Sequence, residues 1–448
     1  MAAPAEKCKL LIPFIEKTMS LKSTFRALQY RNYRFFFIGQ GTSLIGTWMQ
    51  RIATAWLVYR LTNSALLLGI TGFVSQIPTF IFAPFGGVFA DKWDRKKILL
   101  ITQVLAMAQA LVLAIMVANG SITVTWIIIL NICLGIINAF DITARQSFVV
   151  EIVDRKEDLG NAIALNSSMV NGARILGPSI TGILIASMGE GPCFFINSAS
   201  YLVIIIALLL MRTAPVKRKI EQSTMLHDFR EGFNYILKSV PMRSTILLLA
   251  LVSLLGMPYQ VLMPVFAKDI LGGGPNTLGF LMGAAGLGAL VGAVFLASRK
   301  SAHNLWNLIP LAAVVFGTGL IAFSLSGNLP LSLLLLMITG FGMMIQMASS
   351  NTLLQILTDD DKRGRVMAFY IMAFMGMAPF GSLFAGSLAG KIGAPATLLA
   401  GGVLCILGTA LLFRKIQQAR DVLLSPREEI SPRIKEEIDS LEKIAQTV

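Results

Sequence analysis

Arg174 stands in the stretch NGARILGPS, with isoleucine, leucine and small residues on both sides. A guanidinium is not deprotonated at ordinary pH, so this apolar run holds a permanent cation. Arg51 is a second cation inside an apolar run. Guanidinium suits carboxylate, phosphate and aromatic faces. Two readings of Arg174 are open. With Arg51 it attracts an anionic or catechol-like group of a substrate, or it is a tether that bonds carbonyls and asparagine side chains and stabilises one conformer. Acids are scarcer. Asp141 is the one carboxylate well inside an apolar run, near its end, and is the candidate for carrying a proton. The two histidines, His227 and His303, and the cysteines Cys8, Cys133, Cys193 and Cys405 show no CxxC or metal-ligand spacing. No nucleophile–base set and no phosphate loop is visible, so neither an enzyme nor a metal or other cofactor is expected.

Membrane helices have to position these residues. The chain has 448 residues, 55% hydrophobic and only 14% charged. A soluble domain carries about 25% charged residues. A helical span needs roughly 20 apolar residues, and twelve candidates follow. The first six are 35–58, 65–90, 98–118, 122–143, 161–187 and 192–211. The second six are 244–267, 277–298, 305–325, 329–352, 366–389 and 394–413. The domain plan is a segment 1–34, a six-helix half 35–211, a linker 212–243, a second half 244–413 and a tail 414–448. Phe229, Phe233 and Leu237 in MLHDFREGFNYILK give the linker an amphipathic helix.

Of 38 Lys and Arg, 33 fall in the two ends and in the loops on their side. Only Arg60, Lys268 and Lys391 fall on the other side. The positive-inside rule then places both termini in the cytoplasm. It also accounts for the net charge of +14 without nucleic acid as a partner. LLIPFI, near residue 10, is too short for a signal peptide.

Steps of three and four residues give polar helix faces. Span one aligns Gln40, Ser43, Thr47, Arg51 and Thr54; span four aligns Asn131, Asn138, Asp141 and Arg145; span five aligns Ser167, Asn171, Arg174, Pro178 and Thr181. Three such faces imply a common polar cavity. The second half offers Gln260 and Gln346, and has Met375 where counting back from Pro379 would place a partner of Arg174. Its methionines, including Met343 and Met347, form an adaptable wall or pack the core. The substrate-binding candidates are Gln40, Thr47, Arg51, Asn131, Asn138, Asn171, Arg174, Gln260 and Gln346.

The halves repeat. VVEIVDRKEDLGNAIAL from 149 aligns with LLQILTDDDKRGRVMAF from 353, and GGVFA from 86 with GAVFL from 292. The motif GGVFADKWDRKK resembles the loop 2–3 signature of the major facilitator superfamily through Gly87, Asp91, Lys92, Arg95, Lys96 and Lys97. Asp94 stands where that pattern has Gly. FRALQYRNYRFFFIG, AFDITARQSFVVEIV, NAIALNSSMVNGARILGP and MAFMGMAPFGSLFAG are similar to the branch that holds the enterobactin exporter and macrolide efflux proteins, with Thr143 in place of a frequent Pro. ARILGPSITG is similar to the fifth-span signature of drug antiporters through Gly177, Pro178 and Gly182; Ala173 and Thr181 depart from it.

The resemblance implies an all-α integral membrane fold of twelve helices in two parallel six-helix halves. It implies a cavity bordered by spans one, four, seven and ten, with span five contributing. It implies a cytoplasmic gate in which Asp141 and Arg145 pair with Asp91 and Arg95 beside Gly87, an alternative to proton carriage by Asp141. The implied function is secondary export of a small amphiphilic or anionic compound, a siderophore or drug-like molecule, across a bacterial cytoplasmic membrane. Alternating access would be driven by protons or by the potential. A lysophospholipid flippase of the same fold is the alternative, and a non-transporting sensor or scaffold the alternative of another class. The expected partners are the small molecule, membrane lipids and protons, with the protein a monomer.

Overall fold

A computed structural model describes residues 26–153, 155–212, 225–299, 305–359 and 362–424. The expectations for residues before 26 and for the tail beyond 424 lie outside these. Every regular element among the described residues is a helix. The long ones are α1 (Arg31–Thr62), α2 (Ala65–Lys92), α3 (Arg95–Ala118), α4 (Val124–Glu151), α5 (Leu159–Met188) and α6 (Gly191–Leu210). After the linker helix (Met225–Lys238) come α7 (Val240–Ile270), α8 (Pro275–Ala297), α9 (Leu305–Ser324), α10 (Leu329–Leu357), α11 (Arg363–Ile392) and α12 (Ala394–Leu424).

Eleven of the twelve are long and apolar enough to cross a membrane. The exception, α1, has 32 residues and the length to cross, but is less apolar. Its Gln40, Ser43, Gln50 and Thr54 are buried, so its polar atoms turn into the bundle rather than toward lipid. Short polar side chains start several helices by accepting from otherwise orphan N–H groups. Ser64 takes Leu67 N–H at 3.3 Å and Asp94 takes Lys96 N–H at 2.9 Å. Asp94, the departure from the superfamily loop pattern, is thus the N-cap of α3.

The helix pairings of the first half recur six helices later. α1 packs on α5 and α6, as α7 packs on α11 and α12; α2 packs on α4, as α8 packs on α10; α3 packs on α4 and α6, as α9 packs on α10 and α12. The segments ahead of each half are docked alike. Tyr30 donates to Asp158 at 2.5 Å, a bond that raises its phenol above the ordinary pKa. Tyr235 of the linker helix donates to Asp359 at 3.0 Å. The linker helix also lays Phe229 against Phe369 at 4.9 Å and pairs Glu231 with Arg365 at 2.9 Å.

Two pairs of helices join the halves, α5 with α8 and α2 with α11. Glycines bring their backbones into contact. A Cβ added at Gly182 would lie 3.0 Å from Cα of Gly279, and one at Gly386 would lie 2.5 Å from Cα of Gly69. These contacts sit near the end of the bundle opposite the basic loops, called the far end below. The largest apolar cluster joins both halves there, with Trp56 and Leu68 of the first and Leu262 and Phe266 of the second. At the basic end each half has its own cluster, around Phe36 and Phe148 in the first and around Ile236 and Tyr370 in the second.

Candidate functional site

A cavity of about 130 Å³ lies between the halves. Trp48, Arg51 and Thr54 of α1, Thr71, Ser75 and Gln76 of α2 and Asn131 of α4 form one wall. Met257, Pro258, Gln260 and Val261 of α7, with Met282 and Ser382, form the other.

Trp48 organises the charged side. The guanidinium carbon of Arg51 stands 5.2 Å from its ring centroid and that of Arg174 stands 5.9 Å from it. Both distances fall within the range of a cation–π contact. The ring fits because α5 has no side chain at Gly177, where a Cβ would meet Trp48 Cβ at 2.5 Å. Pro178 follows and has no N–H, so the Arg174 carbonyl loses its usual helical donor. The far tip of Arg174 donates to Met343 Sδ at 3.8 Å, a weak contact. Among the described residues, neither Arg51 nor Arg174 is paired with a carboxylate.

Of the residues singled out in the sequence, Arg51, Asn131 and Gln260 line the cavity and Arg174 joins them through Trp48. Asn131 donates to Ile127 O at 2.8 Å and lines the cavity. Gln40 is buried, outside the lining. Thr47 faces α6, with its hydroxyl 3.4 Å from Tyr201 Oη. Asn138 and Asn171 are also outside the lining; Asn171 donates back to Ser167 O at 2.9 Å. Gln346 is 1% exposed and its amide nitrogen has no partner. Trp48, Thr71, Ser75, Gln76 and Ser382 were not anticipated. Trp48 is three residues before Arg51, a helical neighbour, which was the available signal.

Gln50 is turned the other way and anchors a buried network. It donates to Gln109 of α3 at 2.9 Å and accepts from Asn197 of α6 at 2.7 Å. Gln109 in turn donates to Leu130 O of α4 at 3.3 Å.

The charges at the basic end pair differently from the expected gate. Arg95 meets Glu151 at 2.8 Å and Asp91 at 3.5 Å, and donates to Ser147 O at 3.1 Å. Arg145 pairs with Asp141, one helical turn away, at 3.5 Å. Asp141 also accepts from Gln103 at 2.6 Å and Thr102 at 3.1 Å, both on α3. The reason is axial distance. Ten residues of α4 separate Asp141 from Glu151, about 15 Å of helix, and the α2–α3 loop reaches the Glu151 end. Gly87 has open space around it. All these contacts stay within the first half. Apart from the Arg174–Met343 contact, two polar contacts between the halves lie at the far end. Tyr59 of α1 donates to the Asp269 carboxylate of α7, and Lys268 donates to Asn63 Oδ1 at 2.6 Å.

Residues 22–441 match the family described as transmembrane secretion effector. The chain belongs to that family, within the major facilitator superfamily. It is 24% identical over 383 residues to the staphyloferrin A transporter of Staphylococcus aureus, covering 85% of this chain and 95% of the relative. It is 24% identical over 392 residues to the enterobactin exporter of Escherichia coli, covering 87% and 92%. It is 22% identical over 389 residues to macrolide efflux protein A of Streptococcus pyogenes, covering 84% and 95%. Among solved structures, a bacterial homolog of the human lysosomal transporter Spinster, inward-facing and unoccupied, matches with a TM-score of 0.70 at 14% identity, over 87% of this chain and 98% of that one. The nucleoside transporter NupG matches with a TM-score of 0.67 at 12% identity, over 87% and 99%. The chain is therefore a multi-pass membrane transporter of the major facilitator fold, a family of transporters and not of enzymes.

Proposed function

We propose that this protein exports a small anionic amphiphile, of siderophore or drug-like character, from the cytoplasm across a bacterial inner membrane. The observation that carries this reading is the Arg51–Trp48–Arg174 group. Two permanent cations share one aromatic ring at the cavity between the halves, with no carboxylate beside either among the described residues. An anion would supply the missing charge-assisted bonds. Trp48 and the methionines would take its apolar part. Relatives named for staphyloferrin A transport, enterobactin export and macrolide efflux support a siderophore or drug-like cargo, and the two arginines support its anionic character.

The basic end faces the cytoplasm in this reading, with both termini there. The halves are sealed at the far end and hold separate cores at the basic end, which corresponds to a cavity open to the cytoplasm. Rocking of the halves about the cavity would break the Tyr59–Asp269 and Lys268–Asn63 contacts and open the other side. Asp141 is held by three partners within the first half and acts as a brace for α3 and α4.

The test compares small molecules released by cells with and without the protein, under iron limitation and in rich medium. An anion retained by the deletion strain and released on complementation is the expected result. Release that is unchanged, together with movement of labelled lysophospholipid between leaflets, would replace export with lipid flipping.

A further inference from the structure

We propose that the far end of the first half holds a phospholipid site, which takes one lipid whose headgroup carries both a phosphate and a primary amine. A second cavity, of about 600 Å³, lies there between α3 and the turn from α5 into α6. It shares no lining residue with the cavity between the halves. Leu111 and Ile115 of α3, Met188 of α5 and Phe195 of α6 form its apolar wall, and all four are exposed on the side of the bundle. Apolar surface of this kind on spanning helices marks a place for acyl chains. The groove follows α3 from Leu111 to its last residue, Ala118, about 10 Å of helix.

Both charges of the groove stand at its polar end. Arg60, in the last turn of α1, donates from Nε to Glu190 Oε1 at 2.7 Å and from Nη2 to Glu190 Oε2 at 3.2 Å. The Glu190 side chain is 6% exposed and that of Arg60 is 50% exposed, so the carboxylate is fixed and the guanidinium remains open to a ligand. Two of the five guanidinium N–H donors go to Glu190. Gly191 and Pro192 line the same end, and the start of α6 to which they belong favours negative charge. An apolar groove that ends in an ion pair complements acyl chains that end in charges of both signs. The phosphate meets Arg60 and the start of α6, and the ammonium meets Glu190. A purely anionic headgroup gains less, because Glu190 already neutralises Arg60 and repels the anion. A choline headgroup has no N–H to donate to the carboxylate. A free phosphate leaves the apolar wall uncovered. The position gives the lipid a role. Arg60 stands between Tyr59, which donates to Asp269 of α7, and Asn63, which ends α1 and accepts from Lys268. A lipid that holds Arg60 steadies the end of α1 from which the sealing contacts are made.

The experiment uses the purified full-length chain in detergent, mixed with equal amounts of phosphatidylethanolamine, phosphatidylglycerol, phosphatidylcholine and dioleoylglycerol. Native mass spectrometry reads the bound lipid, and inorganic phosphate is added as a separate competitor. The expected result is one phosphatidylethanolamine per chain, retained about tenfold more than the other three and unaffected by phosphate. Ala118→Trp fills the end of the groove and leaves the ion pair in place, and is expected to lower retention about tenfold, with the melting temperature of the lipid-free protein as the check on folding. Glu190→Gln is expected to erase the preference for phosphatidylethanolamine over phosphatidylglycerol. Equal retention of all four lipids, or equal retention by the wild type and a folded Ala118→Trp variant, overturns the site and describes an ordinary lipid annulus. Displacement of the lipid by inorganic phosphate overturns it in favour of a simple anion site. A dimer that forms without lipid and is broken by Ala118→Trp overturns it in favour of a second copy of the chain.

Discussion

The two halves share one helix plan and build different walls from it. The first presents Arg51, Gln76 and Asn131, and the Gln50–Gln109–Asn197 network ties the helices of Arg51 and Asn131 together. The second presents Met257, Pro258 and Val261, and its helices carry π-turns at Val252–Gly256, Phe266–Ile270 and Met372–Gly376. Pro258, just past the first of these, has no N–H for the α-helical ladder, and the Met257 N–H bonds Val252 O, five residues back. Duplication has kept the helix pairings, which small residues and shape decide. It has not kept the chemistry, because Met375 stands where the first half has Arg174. Recognition by charge is concentrated in the first half, and the π-turns lie in the second, where they leave helices less regular.

Removing the charge should have the largest effect. The double change Arg51→Gln and Arg174→Gln removes two charge-assisted partners, each worth about 1.5–3 kcal/mol. Export of an anionic cargo is expected to fall more than a hundredfold at an unchanged membrane level of the protein, measured by initial rates. Next comes the seat of Trp48. Gly177→Val puts methyl groups where even a Cβ meets Trp48 Cβ at 2.5 Å. Overpacking of this kind costs about 1–3 kcal/mol, and the melting temperature in detergent and the transport rate are expected to fall together. The frame should respond in stability more than in selectivity. Asn197→Leu leaves Gln50 Oε1 without its donor, a loss of about 1–3 kcal/mol, and thermal unfolding should show it while the order of preferred substrates stays the same. Tyr59→Phe should have the smallest effect. It removes one contact between halves, worth about 1 kcal/mol, and labelling of a cysteine placed in the cavity from the outer side should rise about fivefold.

The twelve helices were legible because apolar runs of spanning length are hard to mistake for anything else. The charges of the site were legible for the converse reason: Arg51 and Arg174 stand out against such runs. The face that turns to the cavity was less accessible. Steps of three and four trace Gln40, Thr47 and Arg51 as one face, but consecutive residues on a helix differ by only about 100°, little more than a quarter of a turn. In the structure Thr47 faces Tyr201, and the cavity takes Trp48, Arg51 and Ile52. Gln76 carries no signal of its own, since amide residues are ordinary inside helical proteins, and Trp48 stands out only as a helical neighbour of Arg51. Asp269 and Glu151 lie beyond the apolar runs 244–267 and 122–143, because hydropathy drops where helices still continue. Both turned out to hold contacts that organise the two ends.

The most direct test of the central claim is to complement a deletion strain with wild-type protein or with the Arg51→Gln, Arg174→Gln double variant, at matched membrane levels. The quantity to measure is the release of the anion that the deletion strain retains. The account predicts restored release by the wild type and release near the deletion level with the double variant. Equal release by both would contradict it, and would leave the two arginines as tethers of one conformer.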